Sequence, residues 1–166
     1  MNDPRAAAAD WIAHDPDPET RAELARIAAA GNEKALLERV DGALMFGTAG
    51  IRAEVGAGPL RMNQAVIRRT TWGVARHLRD HSDTPRVIVG RDARLSSQDF
   101  FEETVAVLGA MGCEVTAFPD PVPTPLVAFT ARELAADAAV VITASHNPPA
   151  DNGYKVYATN AVQIVP

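Results

Sequence analysis

A serine followed by a histidine and a turn is the strongest candidate for covalent chemistry in this chain. Ser145 lies in the segment 143–148, directly after a run of apolar residues. A serine at the end of a buried strand is held by a rigid element and still reaches solvent, as a nucleophile or a phosphate carrier requires. Ser145 and His146 make a poor hydrolase pair, because neighbouring residues of an extended segment point in opposite directions and the G-x-S-x-G elbow is absent. Taken alone, a turn-forming hydroxyl is the more common role of such a serine.

A lysine that follows this segment could serve the same site. Asn152-Gly153 predicts a turn that leads into a strand over residues 154–157, with Lys155 and Tyr157 on one face. A lysine returned towards Ser145 could neutralise phosphate charge, or move a proton once it is partly desolvated. A lone lysine on a strand is usually a solvated charge, so this interpretation depends on its neighbours.

Two arginine-containing loops add candidate anion contacts. Residues 46–52 contain two glycines, which let backbone amides approach an anion closely, and end in Arg52, which can bind phosphate oxygens bidentately. Residues 90–94 place two guanidinium groups and a carboxylate after a predicted strand. For Arg94, phosphate binding and an Arg–Asp network that only fixes the loop are about equally plausible interpretations.

Alternating helix and strand patterns must position these loops. Helices are predicted over residues 6–13, 19–30 and 33–40, and strands over residues 86–90, 114–118 and 138–143. Intervening helices follow residue 63, the Ser96-Ser97 pair with Ser96 as the capping hydroxyl, and Thr124. This order predicts an α/β domain over residues 41–166, a layered fold with a mainly parallel sheet and helices on both faces. A helical N-terminal extension, residues 1–40, precedes it. Because ligands bind beyond the carboxyl ends of parallel strands, the loops at 90–92, 119–124 and 144–147 should share one rim.

Composition excludes several classes of function. The 166 residues carry 16 basic and 21 acidic side chains, a net charge of −5, which opposes nucleic-acid binding but permits a small anion site. The single cysteine, Cys113, cannot form a disulfide within the chain and favours a reducing compartment. No apolar run reaches the length of a membrane span, so a cytoplasmic location is expected. The four scattered histidines disfavour zinc binding, and the absence of a G-x-G-x-x-G turn disfavours a dinucleotide site.

The chemistry-bearing segments together resemble the α-D-phosphohexomutase superfamily, which contains phosphoglucomutases, phosphomannomutases and phosphopentomutase-like enzymes. The matching segments are residues 46–52, 90–94, 143–148 and 151–155, in the order of the family. The resemblance extends from about residue 41 to the end of the sequence. The helical lead-in is similar to that of the branch with phosphopentomutase-like and glucose-bisphosphate-related members. Ala53 departs from the glycine that many members have after the arginine of the first loop.

The resemblance implies a phosphoserine mechanism. Ser145 would give its phosphoryl group to a hexose or pentose phosphate and recover the other phosphoryl group from the bisphosphate intermediate. Lys155 would be the general acid and base, and His146 would assist. The residues implied to bind phosphate or substrate are Thr48, Gly50, Arg52, Asn147 and Arg91. Magnesium would bind through the Ser145 phosphate, and a sugar bisphosphate would be the activator that phosphorylates the enzyme.

The resemblance also implies parts that this sequence does not contain. A magnesium-binding Asp-Gly-Asp-Gly-Asp-type loop, a sugar-recognition loop and a distal phosphate loop are absent from the 166 residues. The sequence therefore resembles the first domain of a longer mutase whose later domains are missing. Two expectations follow: little or no activity alone, and self-association through the surface that the next domain would cover. A non-catalytic phosphosugar-binding module or truncated relic is the alternative.

Overall fold

The structure, a computed structural model, describes residues 3–48 and 50–164. In that part of the chain, the helices are α1 (Pro4–His14), α2 (Pro18–Ala29), α3 (Glu33–Val40), α4 (Gln64–Arg79), α5 (Ser97–Ala110) and α6 (Thr124–Glu133). The strands are β1 (Ile51–Glu54), β2 (Arg86–Arg91), β3 (Glu114–Ala117), β4 (Ala138–Ile142) and β5 (Asp151–Ala158). No helix in these ranges is both long and apolar enough to cross a bilayer.

The first three helices begin where a capping side chain and the helix propensity of the following residues agree. Asp3 accepts a hydrogen bond from the Arg5 amide, Asp17 from the Glu19 amide and Asn32 from the Ala35 amide. Each cap satisfies an amide that the first helical turn leaves without a partner. The three helices bury a small apolar cluster of their own, which consists of Ala8, Leu24, Leu36 and Val40 with Ala57 from the main body.

The five strands form one mixed sheet in the order β1-β5-β4-β2-β3. Strands β3, β2 and β4 are parallel, whereas β5 is antiparallel to both β4 and β1. The predicted α/β class is confirmed, but only two of the four strand pairings are parallel. The connection between β4 and β5 contains only residues 143–150, too few for the crossover that a parallel neighbour requires. This short connection carries Ser145.

Helices cover both faces of the sheet. Helices α4 and α5 pack on one face through a core that includes Ile67, Phe100 and Val140. Helix α6 packs on the other face, where Val127 and Ala131 contact alternate strand residues such as Val141. Because strand side chains alternate between faces, β4 is buried on both sides and forms a rigid base for the loop that follows it.

The predicted turn at Asn152-Gly153 is wrong, since both residues lie within β5 and pair with β1. A Cβ atom on Gly153 would lie 2.6 Å from the Thr143 carbonyl oxygen and 2.7 Å from that of Ile51. Glycine is therefore required by the close approach of neighbouring backbones, not by a turn. The local Asn-Gly pattern cannot distinguish these two uses of glycine.

Gly153→Ala should lower the free energy of unfolding by about 3 kcal/mol, because the added methyl group collides with backbone oxygens that cannot rotate away. The matched control is Gly73→Ala, in the exposed part of α4, where an added Cβ meets nothing within 4 Å. That change should stabilise the protein by about 0.5–1 kcal/mol, through the better helix propensity of alanine. Denaturant unfolding of both variants tests the prediction, and equal stabilities would contradict it.

The loops at the carboxyl ends of the parallel strands meet at one rim, as expected. The Asp92 amide donates to the Ile142 carbonyl at 3.0 Å, and the Val122 amide donates to the Arg91 carbonyl at 2.9 Å. The rim therefore joins the segments that follow β2, β3 and β4.

Candidate functional site

Ser145 lies at this rim in a conformation that few residues adopt. Thr143 and Ala144 are buried as β4 ends, and Ser145 then becomes exposed with φ of 56°. A non-glycine residue in the left-handed region is strained and persists only where the surroundings hold it. The Ser145 amide donates to the Thr143 Oγ1 at 2.9 Å, and the Asn147 amide donates to the Ala144 carbonyl at 3.1 Å. These bonds close a tight turn that presents the hydroxyl to solvent.

Two cationic side chains converge on the Ser145 hydroxyl. The Lys155 Nζ donates to Ser145 Oγ at 2.8 Å, and the Arg52 Nη2 donates to the same oxygen at 3.4 Å. The Arg52 Nη1 also donates to Asn147 Oδ1 at 3.2 Å. Four residues predicted from three separate segments thus form one cluster, with positive charge next to the oxygen that would carry a phosphoryl group.

Lys155 has the environment of a proton carrier. Its side chain comes from β5, is 8% exposed, and pairs with no carboxylate among residues 3–48 and 50–164. Burial lowers the pKa of its ammonium group, and the nearby Arg52 charge lowers that pKa further. Both effects favour the neutral amine relative to an exposed lysine, so Lys155 can accept a proton more readily at a given pH.

Arg52→Gln should raise the pKa of Lys155 part of the way towards its ordinary value. The substitution removes the positive charge that disfavours the ammonium form, while the larger contribution of burial remains. Arg52→Lys, which keeps the charge, is the matched control and should leave the pKa close to that of the unsubstituted protein. NMR titration of the Lys155 side chain measures both. A pKa that falls or stays constant in Arg52→Gln would contradict this electrostatic description.

The structure places Arg91 away from this cluster. Its side chain is 9% exposed, its Nη2 donates to the Pro119 carbonyl at 3.1 Å, and its guanidinium lies 5.5 Å from the Phe101 ring centroid. Arg91 therefore fixes the loop after β3 against α5 instead of contacting Ser145. Its predicted role in phosphate binding remains a prediction that no contact of the described residues supports.

The glycine-containing loop before β1 is positioned by close packing. Gly50 has φ of +84°, and a Cβ there would lie 2.3 Å from the Tyr154 carbonyl oxygen. This contact brings β1 against β5 and so brings Arg52 towards Ser145. Thr48 is exposed, and its carbonyl accepts from Gln163 Nε2 at 3.2 Å. Ala49, which belongs to the predicted loop at residues 46–52, lies outside the described residues.

His146 is exposed next to Ser145, and its ring has no hydrogen-bond or ion-pair partner within the described part of the chain. It does not contact the Ser145 hydroxyl in the arrangement seen here. The side chain is thus available to a bound ligand, and its catalytic role remains a prediction.

Arg94 contacts the connection between β4 and β5, residues 143–150, which we call the serine loop. These contacts are more extensive than either interpretation of the sequence specified. The Arg94 guanidinium donates to four backbone carbonyls, which are those of Ser145, Asn147 and Pro148 in the loop and that of Asp151 at the start of β5. Its Nε donates to Asp92 Oδ2 at 3.1 Å, and Asp92 also accepts from Ser97 Oγ at 2.6 Å. The sequence signal for this network was the Arg–Asp pair after a predicted strand. The pattern did not show which residues Arg94 would contact.

Asn152 and Ser96 tie the same network to β5. The fully buried Asn152 side chain donates to Ser96 Oγ at 2.7 Å and to Ser97 Oγ at 3.1 Å. The predicted capping role of Ser96 is wrong, since its hydroxyl makes no hydrogen bond to the first turn of α5. It serves instead as an acceptor for Asn152.

Ser145, Asn147 and Arg94 lie at the edge of a shallow cleft. An open depression of about 470 Å³ is lined by Asp92, Ala93, Arg94, Leu95, Ser145, Asn147 and Pro149. Two larger and more apolar depressions lie elsewhere, one between α1, α4 and α5 and one between α4 and β5. Neither touches Ser145. We therefore choose the candidate site not by the volume of a depression but by the convergence of a serine, a lysine and an arginine.

The described residues do not form a complete magnesium site. Magnesium requires an octahedral set of oxygen ligands. In the described ranges, no three His, Cys, Asp or Glu side chains come together as a metal-binding group. The carboxylates next to the serine loop already have partners, since Asp92 accepts from Arg94 and Ser97, and Asp151 accepts from Asn147. Oxygens of a phosphate on Ser145 would be the ligands that this chain could supply.

Comparisons with known proteins point to one family. Residues 43–166 match the family model described as phosphoglucomutase/phosphomannomutase, alpha/beta/alpha domain I. The chain is 39% identical to mouse phosphopentomutase over an alignment of 166 positions, which covers 95% of the chain and 27% of that protein. It is 39% identical to Saccharomyces cerevisiae phosphoribomutase (94% of the chain, 26% of the relative) and 38% identical to mouse glucose 1,6-bisphosphate synthase (95% and 27%).

Solved structures give the same result. A phosphomannomutase-like protein from Thermus thermophilus superposes with a TM-score of 0.68 at 32% identity, over 74% of this chain and 27% of that chain. A phosphoglucomutase/phosphomannomutase family protein from Burkholderia thailandensis gives a TM-score of 0.61 at 28% identity, over 72% and 27%. The chain thus spans about a quarter of the length of the proteins that it matches.

Proposed function

We propose that Ser145 accepts and returns a phosphoryl group during the isomerisation of sugar phosphates. The chain belongs to the phosphoglucomutase/phosphomannomutase family, in which it matches the α/β/α domain I. The observation that carries this proposal is the contact of Ser145 Oγ with Lys155 Nζ at 2.8 Å and with Arg52 Nη2 at 3.4 Å. A serine oxygen needs a base to become a nucleophile, and the resulting phosphate needs cations. Lys155 and Arg52 supply both.

In the proposed transfer, Ser145 Oγ bonds to a phosphorus atom of a sugar bisphosphate as the bond from that phosphorus to the sugar oxygen breaks. The serine proton passes to the neutral amine of Lys155, whose lowered pKa favours acceptance. The leaving sugar oxygen takes up a proton, for which the exposed His146, next to Ser145 in the chain, is the candidate donor. In the reverse step the attacking sugar hydroxyl gives its proton to His146, and the Lys155 ammonium returns its proton to Ser145 Oγ as the phosphoryl group leaves. The proton count therefore closes over a cycle.

Arg52 and Asn147 would hold the phosphoryl group in place. Arg52 bridges Ser145 Oγ and Asn147 Oδ1, so its guanidinium spans the position where phosphate oxygens would project. A planar guanidinium binds such oxygens through paired hydrogen bonds. The proposed magnesium would further neutralise the transferring group when bound, and its other ligands would come from outside these residues.

The complete reaction would require further domains. Positioning, sugar recognition and metal binding must act together in phosphoryl transfer, and the described residues supply only the phosphoryl-carrying part. We propose hexose or pentose phosphates as substrates, because the relatives are named phosphopentomutase, phosphoribomutase and glucose 1,6-bisphosphate synthase. A sugar bisphosphate such as glucose 1,6-bisphosphate would phosphorylate Ser145 at the outset.

A chimera tests the proposal. The 166 residues would replace the matched portion of mouse phosphopentomutase, and phosphopentose isomerisation would be compared between the chimera and the 166-residue chain alone. The expected result is turnover by the chimera and none by the chain alone. Turnover by the chain alone would contradict the need for further domains. A chimera that binds phosphosugar but never turns it over would favour a non-catalytic binding module.

A further inference from the structure

Arg94 uses its whole hydrogen-bonding capacity on the serine loop and on Asp92. A guanidinium group has five N–H donors in a rigid fork. Here Nε donates to Asp92, Nη1 to the carbonyls of Pro148 (2.6 Å) and Asp151 (2.8 Å), and Nη2 to the carbonyls of Ser145 (3.0 Å) and Asn147 (2.9 Å). Five donors therefore meet five acceptors. No donor remains for a substrate phosphate, so Arg94 is not available as an anion ligand in this arrangement.

We infer that Arg94 is the positioning residue of the site: its guanidinium acts as an internal cation around which the serine loop folds, so that Ser145 is held ready to accept a phosphoryl group. This inference rests on the proposed function of Ser145 and extends it to a residue that does not touch the reacting atoms. The four carbonyl acceptors are spread over residues 145–151, so one side chain fixes the loop from the serine to the start of β5.

The contact with the Ser145 carbonyl has a direct consequence for backbone direction. No peptide bond among the described residues is cis, and in a trans peptide the C=O and N–H groups point in opposite directions. Since the Ser145 carbonyl points at Arg94, the His146 amide of the same peptide points away from it. No described residue accepts a hydrogen bond from that amide. Arg94 thus directs the His146 amide, a backbone donor that has no acceptor among the described residues, away from its own guanidinium group.

The same contacts explain how Ser145 keeps its left-handed conformation. At φ of 56° the serine backbone is strained, and the strain must be offset by contacts that exist only in this geometry. Arg94 supplies such contacts, and Asp92 holds Arg94 through the Nε bond and through the Arg94 amide at 3.1 Å. Asp92 is itself held by Ser97 at the start of α5. The conformation of Ser145 therefore depends on a rigid helix through two intermediate side chains.

Lysine cannot replace Arg94, because its three donors on a single nitrogen cannot reach five acceptors arranged around a planar fork. Arg94→Lys keeps the charge and should loosen the loop. In the 166-residue chain, hydrogen exchange at the Asn147 and Asp151 amides should become about tenfold faster or more, as expected from the loss of at least one net hydrogen bond. Amides of β2 and β4 should exchange as before. Arg68→Lys, whose arginine pairs with Glu103 away from the loop, is the control.

A second variant keeps the inference testable if Arg94→Lys does not fold. Asp92→Asn removes the acceptor of the Arg94 Nε but leaves the guanidinium in place, and should accelerate exchange at the same two amides by a smaller factor. If both variants exchange like the unsubstituted chain at these amides, or if exchange rises uniformly over the whole fold, Arg94 does not position the loop and the inference is wrong.

The functional readout separates this inference from the proposed function. Glucose 1,6-bisphosphate is the probe, and phosphate incorporation at Ser145 is followed in the chimera described above. Arg94→Lys should lower the rate at saturating bisphosphate by about tenfold or more, with the half-saturating concentration unchanged, because orientation is lost and binding is not. A raised half-saturating concentration at an unchanged maximal rate would assign Arg94 to binding and overturn the inference. If the unsubstituted chimera is never phosphorylated, the proposed function fails, while the exchange data still decide the role of Arg94.

Discussion

Ser145→Ala should reduce turnover of the chimera with mouse phosphopentomutase by at least about a thousandfold, since the phosphoryl group then has no oxygen to which it can transfer. The loop itself should survive this change. The contacts of Arg94 with the loop involve backbone carbonyls, which alanine retains, whereas the Ser145 hydroxyl accepts hydrogen bonds from the side chains of Lys155 and Arg52. The expected loss is therefore in the maximal rate, measured by steady-state kinetics.

Ser82→Ala is the matched control for that prediction. Ser82 lies after α4, beside the depression between α4 and β5, and away from the serine loop. Its replacement should leave turnover unchanged. A Ser145→Ala chimera that retains more than a small fraction of the original rate would show that another residue carries the phosphoryl group.

Lys155→Met should lower the rate of phosphoryl transfer to Ser145 by about 10²–10⁴-fold, the usual contribution of a positioned acid or base. The unsubstituted protein should gain rate with rising pH as the Lys155 ammonium deprotonates. Because burial and Arg52 lower the Lys155 pKa, this gain should occur at lower pH than for an exposed lysine. The pH-dependent gain should disappear in Lys155→Met, as measured by rapid-quench kinetics over a range of pH.

Lys155→Arg separates proton transfer from charge. Arginine keeps a positive charge next to Ser145 but does not deprotonate in proteins. It should preserve affinity for the bisphosphate and fail to restore the rate. Full recovery of the rate in Lys155→Arg would mean that Lys155 acts only as a countercharge.

Local patterns in the sequence predict most of the fold because the elements that they describe are long or well capped. The three N-terminal helices begin within two residues of their predicted positions, at side chains that cap them. Strand β1 was not predicted, since four residues with partial exposure carry no clear period. The antiparallel placement of β5 depends on the number of residues in one connection and on pairing with β1, which no local pattern records.

The candidate site likewise contains residues that the sequence predicts and residues whose roles depend on tertiary contacts. Ser145 and Lys155 are recognisable as residue types after a buried strand, and Arg52 is recognisable as a possible phosphate ligand after a glycine-containing loop. The resemblance assigned all three residues to one site. The sequence could not distinguish the two arginines in the loop at residues 90–94. Arg91 still belongs to β2, and its side chain is buried against Phe101, whereas Arg94 follows the Asp92 turn and points into the serine loop. That difference is set by strand alternation and by tertiary contacts.

The most direct test of the central claim is the site of phosphate in a single turnover. The chimera would be mixed with glucose 1,6-bisphosphate, quenched at short times, digested and analysed by mass spectrometry. We predict that a phosphoryl group appears on the peptide that contains Ser145 at the rate at which the sugar monophosphate forms, and that it is absent from the Ser145→Ala peptide. Sugar monophosphate formation with no phosphate on Ser145 would contradict the account.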